Sequence, residues 1–207
     1  MPHLKTPTPL LCGLDEAGRG PLAGPVCAAA VILNEENFPL WILADSKKLS
    51  PSAREDARIV ICSMAFAWGI GWVSAAEIDE INIHRASLLA MKRAFGEMIS
   101  AARGEGDSFA AGNIRAIADG LFSPNIPVPC EPMVMADSKV YEVMAASILA
   151  KTARDRIMEY YGIFYPQYGF ERHKGYPTKA HREAITRFGP SPIQRMSFNV
   201  KETATSS

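Results

Sequence analysis

No C-x-x-C pair occurs in this 207-residue chain, and none of its four histidines, His3, His84, His173 and His181, stands at metal-ligand spacing from another. The four cysteines, Cys12, Cys27, Cys62 and Cys130, are scattered. That pattern excludes a zinc ribbon or a dense disulfide framework and predicts buried thiols in a reducing compartment. Long apolar runs are missing too: the longest, 26–33, has eight residues, far short of the ~20 that span a bilayer. The opening M-P-H-L-K-T-P-T-P-L-L-C-G lacks the apolar segment of a signal peptide, so a cytoplasmic, soluble protein is expected. G-x-S-x-G, a P-loop and any Cys–His arrangement are all missing, which removes the common nucleophile-based hydrolases and P-loop nucleotide enzymes. Neither sign of charge is in excess, with 22 Lys and Arg against 22 Asp and Glu. The balance is nevertheless uneven along the chain. Residues 1–138 hold 11 basic against 16 acidic side chains, net −5, and 139–207 hold 11 against 6, net +5. A basic face is therefore available to a nucleic acid, and acid to a cation.

What is present centres on 13–26, G-L-D-E-A-G-R-G-P-L-A-G-P-V. Two adjacent carboxylates, Asp15 and Glu16, follow an apolar run and precede a Gly-Arg-Gly turn. Neighbouring residues on a strand point to opposite faces, so the two acids share a site only where the strand ends or bulges. Gly18 and Gly20 permit an ending just after them. Carboxylates at a strand tip beside open backbone N–H groups are suited to bring a metal and a phosphate together. Pairing with Arg19 is the structural alternative. The same glycines match G-x-G-x-x-A, but a dinucleotide site needs a helix next. Pro25 and the apolar run 26–33 predict a strand instead, which rejects that reading.

Hydrophobic patterning predicts strands at 10–14, 26–33, 66–73 and 114–118, with another at 133–135. Helices are expected at 52–64, at 83–99 with Ile83, Leu88, Met91 and Phe95 facing inward, and at 138–160 with Val140, Val143, Met144 and Ser147 on one face. A short helix is expected near 179–187, among turns at Gly169, Gly175 and Gly189. This order predicts an α/β fold with a mixed β-sheet flanked by helices. Asp119 ends the fourth strand and Asp137 follows the fifth, so both would join Asp15 and Glu16 if strands one and four are neighbours. Two divalent ions about 3.5–4 Å apart need several such hard oxygen ligands. Asp119 before Gly120 is equally a turn residue, and Asp137 or Ser138 equally a helix N-cap. Asp155, between Arg154 and Arg156, is read as part of a structural ion pair. Tyr168, Phe170, Arg172, His173, Lys174, Tyr176, Lys179 and Arg182 interleave aromatic and basic groups, which suits phosphate contact and stacking. A solvated basic loop with aromatics tucked into the core is the other reading of that run.

Several ordered blocks carry a resemblance over 11–198: G-L-D-E-A-G-R-G-P-L-A-G-P-V, D-S-K-K-L-S, N-I-H-R-A-S-L-L-A-M, A-D-G, A-A-S-I-L-A-K-T-A-R-D, Y-G-F-E-R-H-K-G-Y-P-T and G-P-S-P-I-Q-R-M-S-F. The chain resembles the ribonuclease HII family, the bacterial type 2 ribonucleases H. The resemblance implies an RNase H-like fold with a helical C-terminal extension. It implies a Mn²⁺- or Mg²⁺-dependent endonuclease that cuts the RNA strand of RNA–DNA hybrids and DNA duplexes containing ribonucleotides. By the same resemblance Asp15, Glu16, Asp119 and Asp137 are the catalytic metal ligands. Gly18, Arg19 and Gly20 would sense the ribose 2′-OH, and Tyr176 would assist at the RNA–DNA junction. Lys47 and Lys48 are expected phosphate contacts. Similar proteins usually carry Lys-Gly where this chain has Met135-Ala136, which removes a charge and restricts the backbone before Asp137. Gln194 stands where a histidine is common. The expected organisation is a flexible arm at 1–9, a catalytic core at 10–160, a basic substrate-binding extension at 161–200 within the same domain, and a disordered tail at 201–207. A monomer is expected. A DNA nuclease or resolvase on the same fold, and a catalytically silent hybrid-binding protein, are the alternatives.

Overall fold

The computed structural model describes residues 9–34, 36–43, 49–102 and 113–199. Strands β1 (Leu10–Ala17), β2 (Val26–Ile32), β3 (Ala67–Val73), β4 (Ile114–Asp119) and β5 (Cys130–Met133) form one sheet in the order β3-β2-β1-β4-β5. β1 runs antiparallel to β2 and parallel to β4. The adjacency of β1 and β4, on which the convergence of the acids depends, is thereby met. Helices α1 (Pro51–Met64), α2 (Ala75–Ile81), α3 (Ile83–Ala102), α4 (Tyr141–Phe164), α5 (Phe170–His173) and α6 (Lys179–Phe188) complete the described fold.

β2 is buried along its whole length, as expected for a strand covered on both faces. Its even positions Ala28, Ala30 and Ile32 join Cys12 and Leu14 of β1 against Ala90, Met91, Ala94, Phe95 and Met98 of α3. Its odd positions Ala29 and Val31 pack against Ala57 and Ile61 of α1 and Ala145, Ile148 and Leu149 of α4. The period-two alternation therefore sorts the chain into two cores. Gly13 is where α4 crosses β1 most closely, since a Cβ there would lie 2.2 Å from the Glu142 carbonyl carbon.

Besides the short α5, which was not expected, four elements differ from their expected form. β1 continues through Ala17, paired with Cys27 in unbroken register, so it neither ends nor bulges at the two acids. The last strand is Cys130–Met133, earlier than expected, with Pro132 tolerated because β5 is an edge. α4 begins at Tyr141 behind a 3₁₀ turn, Ala136–Ser138, and its N-cap is Val140. Asp137 is therefore not a helix cap. α2 stands where no helix was expected, started by a Ser74–Glu77 capping box whose S-x-x-E signature is legible in the sequence.

Candidate active site

The parallel register pairs Leu14 with Ala118, so one step further Asp15, still inside β1, stands level with Asp119 at the end of β4. Asp15 is 5% exposed. Its carboxyl is held well above the usual range, by burial first and then by the charges of Glu16 and Asp119. Hydrogen bonds from the Ser147 hydroxyl and from the Glu16 N–H, the latter at 2.7 Å, partly offset this. Glu16 is also raised by burial, against the pull of Arg19, whose Nη1 lies 3.4 Å from its Oε1. The expected pairing with Arg19 thus involves Glu16 alone. Asp119 Oδ1 accepts the Ala136 N–H at 2.7 Å, tying the turn that carries Asp137 to the end of β4. The left-handed residue of that turn is Met135, φ 58°. Ala136 is fully buried and outside the left-handed region, so the alanine costs no strain and the methionine bears it.

A cleft of about 410 Å³ is lined by Glu16, Gly18, Arg19, Gly20, Arg54, Asp137, Ser147, Lys151 and Tyr176. A smaller hollow of about 200 Å³ adjoins it, with Glu16 and Arg19 shared and Ser87 and Asp119 on its far side. Among the described residues no three of the acids lie together closely enough to grip an ion. Asp15 is turned toward Ser147 of α4 and Glu16 is drawn toward Arg19. The donor set nevertheless fits a hard divalent cation. All four groups are carboxylates, and two are desolvated and repel one another, which a cation would relieve.

Arg54 and Lys151, for which no function was expected from the sequence, belong to the cleft, and so does Ser147, which was expected only as part of a helix face. For Ser147 a signal was available, as a polar residue on the inward stripe of α4. Lys47 and Lys48 lie outside the described residues. Asp155 pairs with Lys151 at 2.7 Å, not with the flanking arginines. In the basic–aromatic run, Tyr168 and Phe170 are buried and stack on each other at 5.4 Å, which removes them from stacking on a nucleotide. Tyr176, 41% exposed, is the ring that faces the cleft.

Two histidines hold Tyr176 in place. His181 Nδ1–H donates to the Tyr176 carbonyl at 3.0 Å. His173 Nε2–H donates to the Tyr168 carbonyl at 2.8 Å, and His173 Nδ1 accepts the Gly175 N–H at 3.2 Å. The rings stack at 4.5 Å, and His181 Nε2 is buried without a partner. Burial pushes His181 down from 6.5 to about 4. The unfolded chain therefore binds the extra proton first, and stability rises with pH between about 4 and 6.5. His181 alone contributes on the order of 3 kcal/mol across that window. Thermal melts from pH 7 to pH 4.5 should show the midpoint falling, with a flatter slope in His181→Phe. An unchanged slope would refute the assignment.

The mixed five-stranded sheet flanked by helices is an RNase H-like fold, and the family it belongs to makes the chain a metal-dependent endoribonuclease. The chain belongs to the ribonuclease HII family, whose model, described as Ribonuclease HII, matches residues 12–201. It is 54% identical over 199 residues to the ribonuclease HII of Treponema denticola, covering 93% of this chain and 99% of that one. The fold matches the ribonuclease HII of Archaeoglobus fulgidus, solved in a complex with PCNA. There the TM-score is 0.71 at 24% identity, over 95% of this chain and 98% of that chain. It also matches the Bst ribonuclease HIII solved with Mn²⁺, with TM-score 0.71 at 17% identity over 93% and 68% of the two chains. The activity is that of a ribonuclease H endonuclease acting on RNA–DNA hybrids. No helix among the described residues is long and apolar enough to cross a membrane.

Proposed function

We propose that this enzyme also cuts on the 5′ side of single ribonucleotides embedded in duplex DNA, leaving 5′-phosphate and 3′-hydroxyl ends. The observation that carries this reading is the cleft in which Glu16 and Asp137 face the 18–20 loop and the Tyr176 ring, with Asp15 and Asp119 close enough to Glu16 for their charges to be felt. Asp15, Glu16, Asp119 and Asp137 are the metal ligands in this reading, and Mn²⁺ in the Bst ribonuclease HIII complex supports Mn²⁺ or Mg²⁺ as the ions held. When bound, two such ions supply Lewis-acid stabilisation of the attacking and leaving oxygens. Ser147 orients the Asp15 carboxylate. Gly18, Arg19 and Gly20 present backbone to the ribose, and Tyr176 packs on the deoxyribose that follows. Lys151 and Arg54 of the cleft, with Lys47 and Lys48, meet phosphates, so binding weakens steeply with salt. Residues 161–200 act as a substrate-binding extension of the 10–160 core; the arm expected at 1–9, but for residue 9, and the tail expected at 201–207 lie outside the described residues. The enzyme works as a cytoplasmic monomer without a membrane partner.

The test is a gel assay on a DNA duplex containing one ribonucleotide. Asp119→Asn keeps the oxygen that accepts the Ala136 N–H, so the fold is retained while a charged ligand is lost. Cleavage in Mg²⁺ or Mn²⁺ is expected to drop about 1,000-fold. Equal cutting by both proteins would sink the carboxylate assignment. Comparable cutting of an all-DNA duplex would favour a general DNA nuclease.

A further inference from the structure

Arg154 of α4 and Arg195, beyond α6, are 1% and 0% exposed. Neither forms an ion pair with a carboxylate among the described residues. Each guanidinium instead donates to three backbone carbonyls. Arg195 reaches Gly24 at 2.8 Å, Arg19 at 3.0 Å and Gly18 at 2.6 Å. Arg154 reaches Pro25 at 3.0 Å, Ala23 at 3.2 Å and Lys174 at 3.0 Å. Five of the six carbonyls belong to 18–25, and the sixth lies two residues before Tyr176. Gly18, φ 99°, rests directly on this pair, and a Cβ there would come within 1.9 Å of Arg154 Nε.

The direction of these bonds decides what the loop offers. In a trans peptide the N–H points opposite to the C=O of the same plane. The Gly18 carbonyl shares its plane with the Arg19 N–H, and the Arg19 carbonyl with the Gly20 N–H. Fixing both carbonyls on the buried Arg195 fork therefore turns both N–H groups outward, to the cleft side, where Arg19 and Gly20 are exposed. A planar fork with several donors can hold two adjacent carbonyls at once, whereas a lysine ammonium cannot reproduce that geometry. Burial and the neighbouring Arg154 push Arg195 down to about 9, which leaves it charged at neutral pH.

We propose that Arg195, backed by Arg154, is the positioning residue for ribose discrimination: it presets the 18–20 loop so that two backbone donors face the 2′-OH. This rests on the reading above that the loop senses the ribose. Arg195 itself touches no substrate. Its segment is anchored from outside by Asp79, whose carboxylate accepts the Met196 N–H at 2.8 Å and the Ser197 N–H at 2.9 Å.

The experiment measures kcat and KM for wild type, Arg195→Lys, Arg195→Gln and Gly20→Ala. The two substrates are a DNA duplex with one ribonucleotide and a continuous RNA–DNA hybrid. A hybrid offers a 2′-OH in every register, so its cleavage is less sensitive to loop pose. In Arg195→Gln the ratio of kcat/KM on the single-ribonucleotide duplex to that on hybrid is expected to fall about 10–100-fold. Arg195→Lys should lie in between. A Cβ at Gly20 would be 3.7 Å from the Tyr176 ring, so Gly20→Ala fits the fold and alters only the loop's outer face. Folded Arg195→Gln with a wild-type ratio, alongside a collapsed ratio in Gly20→Ala, overturns the clamp and leaves the loop reading intact. A wild-type ratio in Gly20→Ala overturns the loop reading and the clamp with it. If Arg195→Gln does not fold, Asp79→Ala decides, because it loosens the segment with the guanidinium in place. A reduced ratio in that variant supports the clamp, and an unchanged ratio overturns it.

Discussion

Replacing Asp15 with asparagine is expected to slow hybrid cleavage about 1,000-fold and to raise the melting temperature in metal-free buffer. Both effects have one source. Asp15 is 5% exposed, and its ionised form is opposed by burial and by the charges of Glu16 and Asp119. An acid whose folded pKa is raised binds its proton more readily folded than unfolded. Folding is therefore opposed above the ordinary carboxylate range, neutral pH included. Asparagine removes that opposition, and each kcal/mol recovered is worth about 2–4 °C in a chain of this size. The charge that weakens the fold is the one a divalent cation needs, the familiar conflict between stability and activity at a site. Melts with and without Mn²⁺ check both halves. Wild type should gain about 2.7 kcal/mol at a metal concentration one hundred times Kd, and Asp15→Asn clearly less at the same concentration. A variant that melts lower without metal, or cuts within tenfold of wild type, would show that Asp15 is not the strained ligand described.

A large stability loss is expected from a single methyl group. Gly13→Ala places a Cβ 2.2 Å from the Glu142 carbonyl carbon and 2.3 Å from the Val143 nitrogen, both main-chain atoms of α4. Neither side can yield without moving a helix from a sheet. Overpacking of this kind costs on the order of 3 kcal/mol or more. Urea midpoints should show it. Gly96→Ala on the exposed side of α3, where a Cβ meets nothing within 4 Å, is the control and should stabilise by about 0.5–1 kcal/mol. Gly13→Ala should also lower cleavage in the fraction that folds, because α4 delivers Ser147 to Asp15. Equal urea midpoints for the two variants would contradict the close crossing of β1 and α4.

The order and type of most elements were legible because apolar periodicity reports burial, and the two cores follow from alternation along β1 and β2. Contacts distant in sequence were less legible. Nothing local marks β1 and β4 as neighbours, although the site depends on it. Asp137 reads as well as a helix cap as it does as a ligand, because Asp before a helical run often is one. The tether from Asp119 to the Ala136 N–H, 17 residues away, is what sets that turn. The strand was expected to stop at the acids because adjacent side chains diverge. It continues to Ala17, and it is β4 that stops, exposing the rim. Arg154 and Arg195 look like ordinary basic residues in a basic segment. Only burial distinguishes them, and single-residue chemistry carries no sign of it.

The unbroken pairing of β1 with β2 makes parity a property of the active site. Cys12, Leu14 and Glu16 belong to one face and Gly13 and Asp15 to the other, with Ala30, Ala29 and Ala28 opposite the last three of the run. Inserting one residue between Cys12 and Asp15 would keep every side chain and still exchange the faces. The shorter acid would then face α3 and Arg19's partner would face Ser147. The number of residues in that strand is thus as much a part of the catalytic apparatus as the carboxylates it carries.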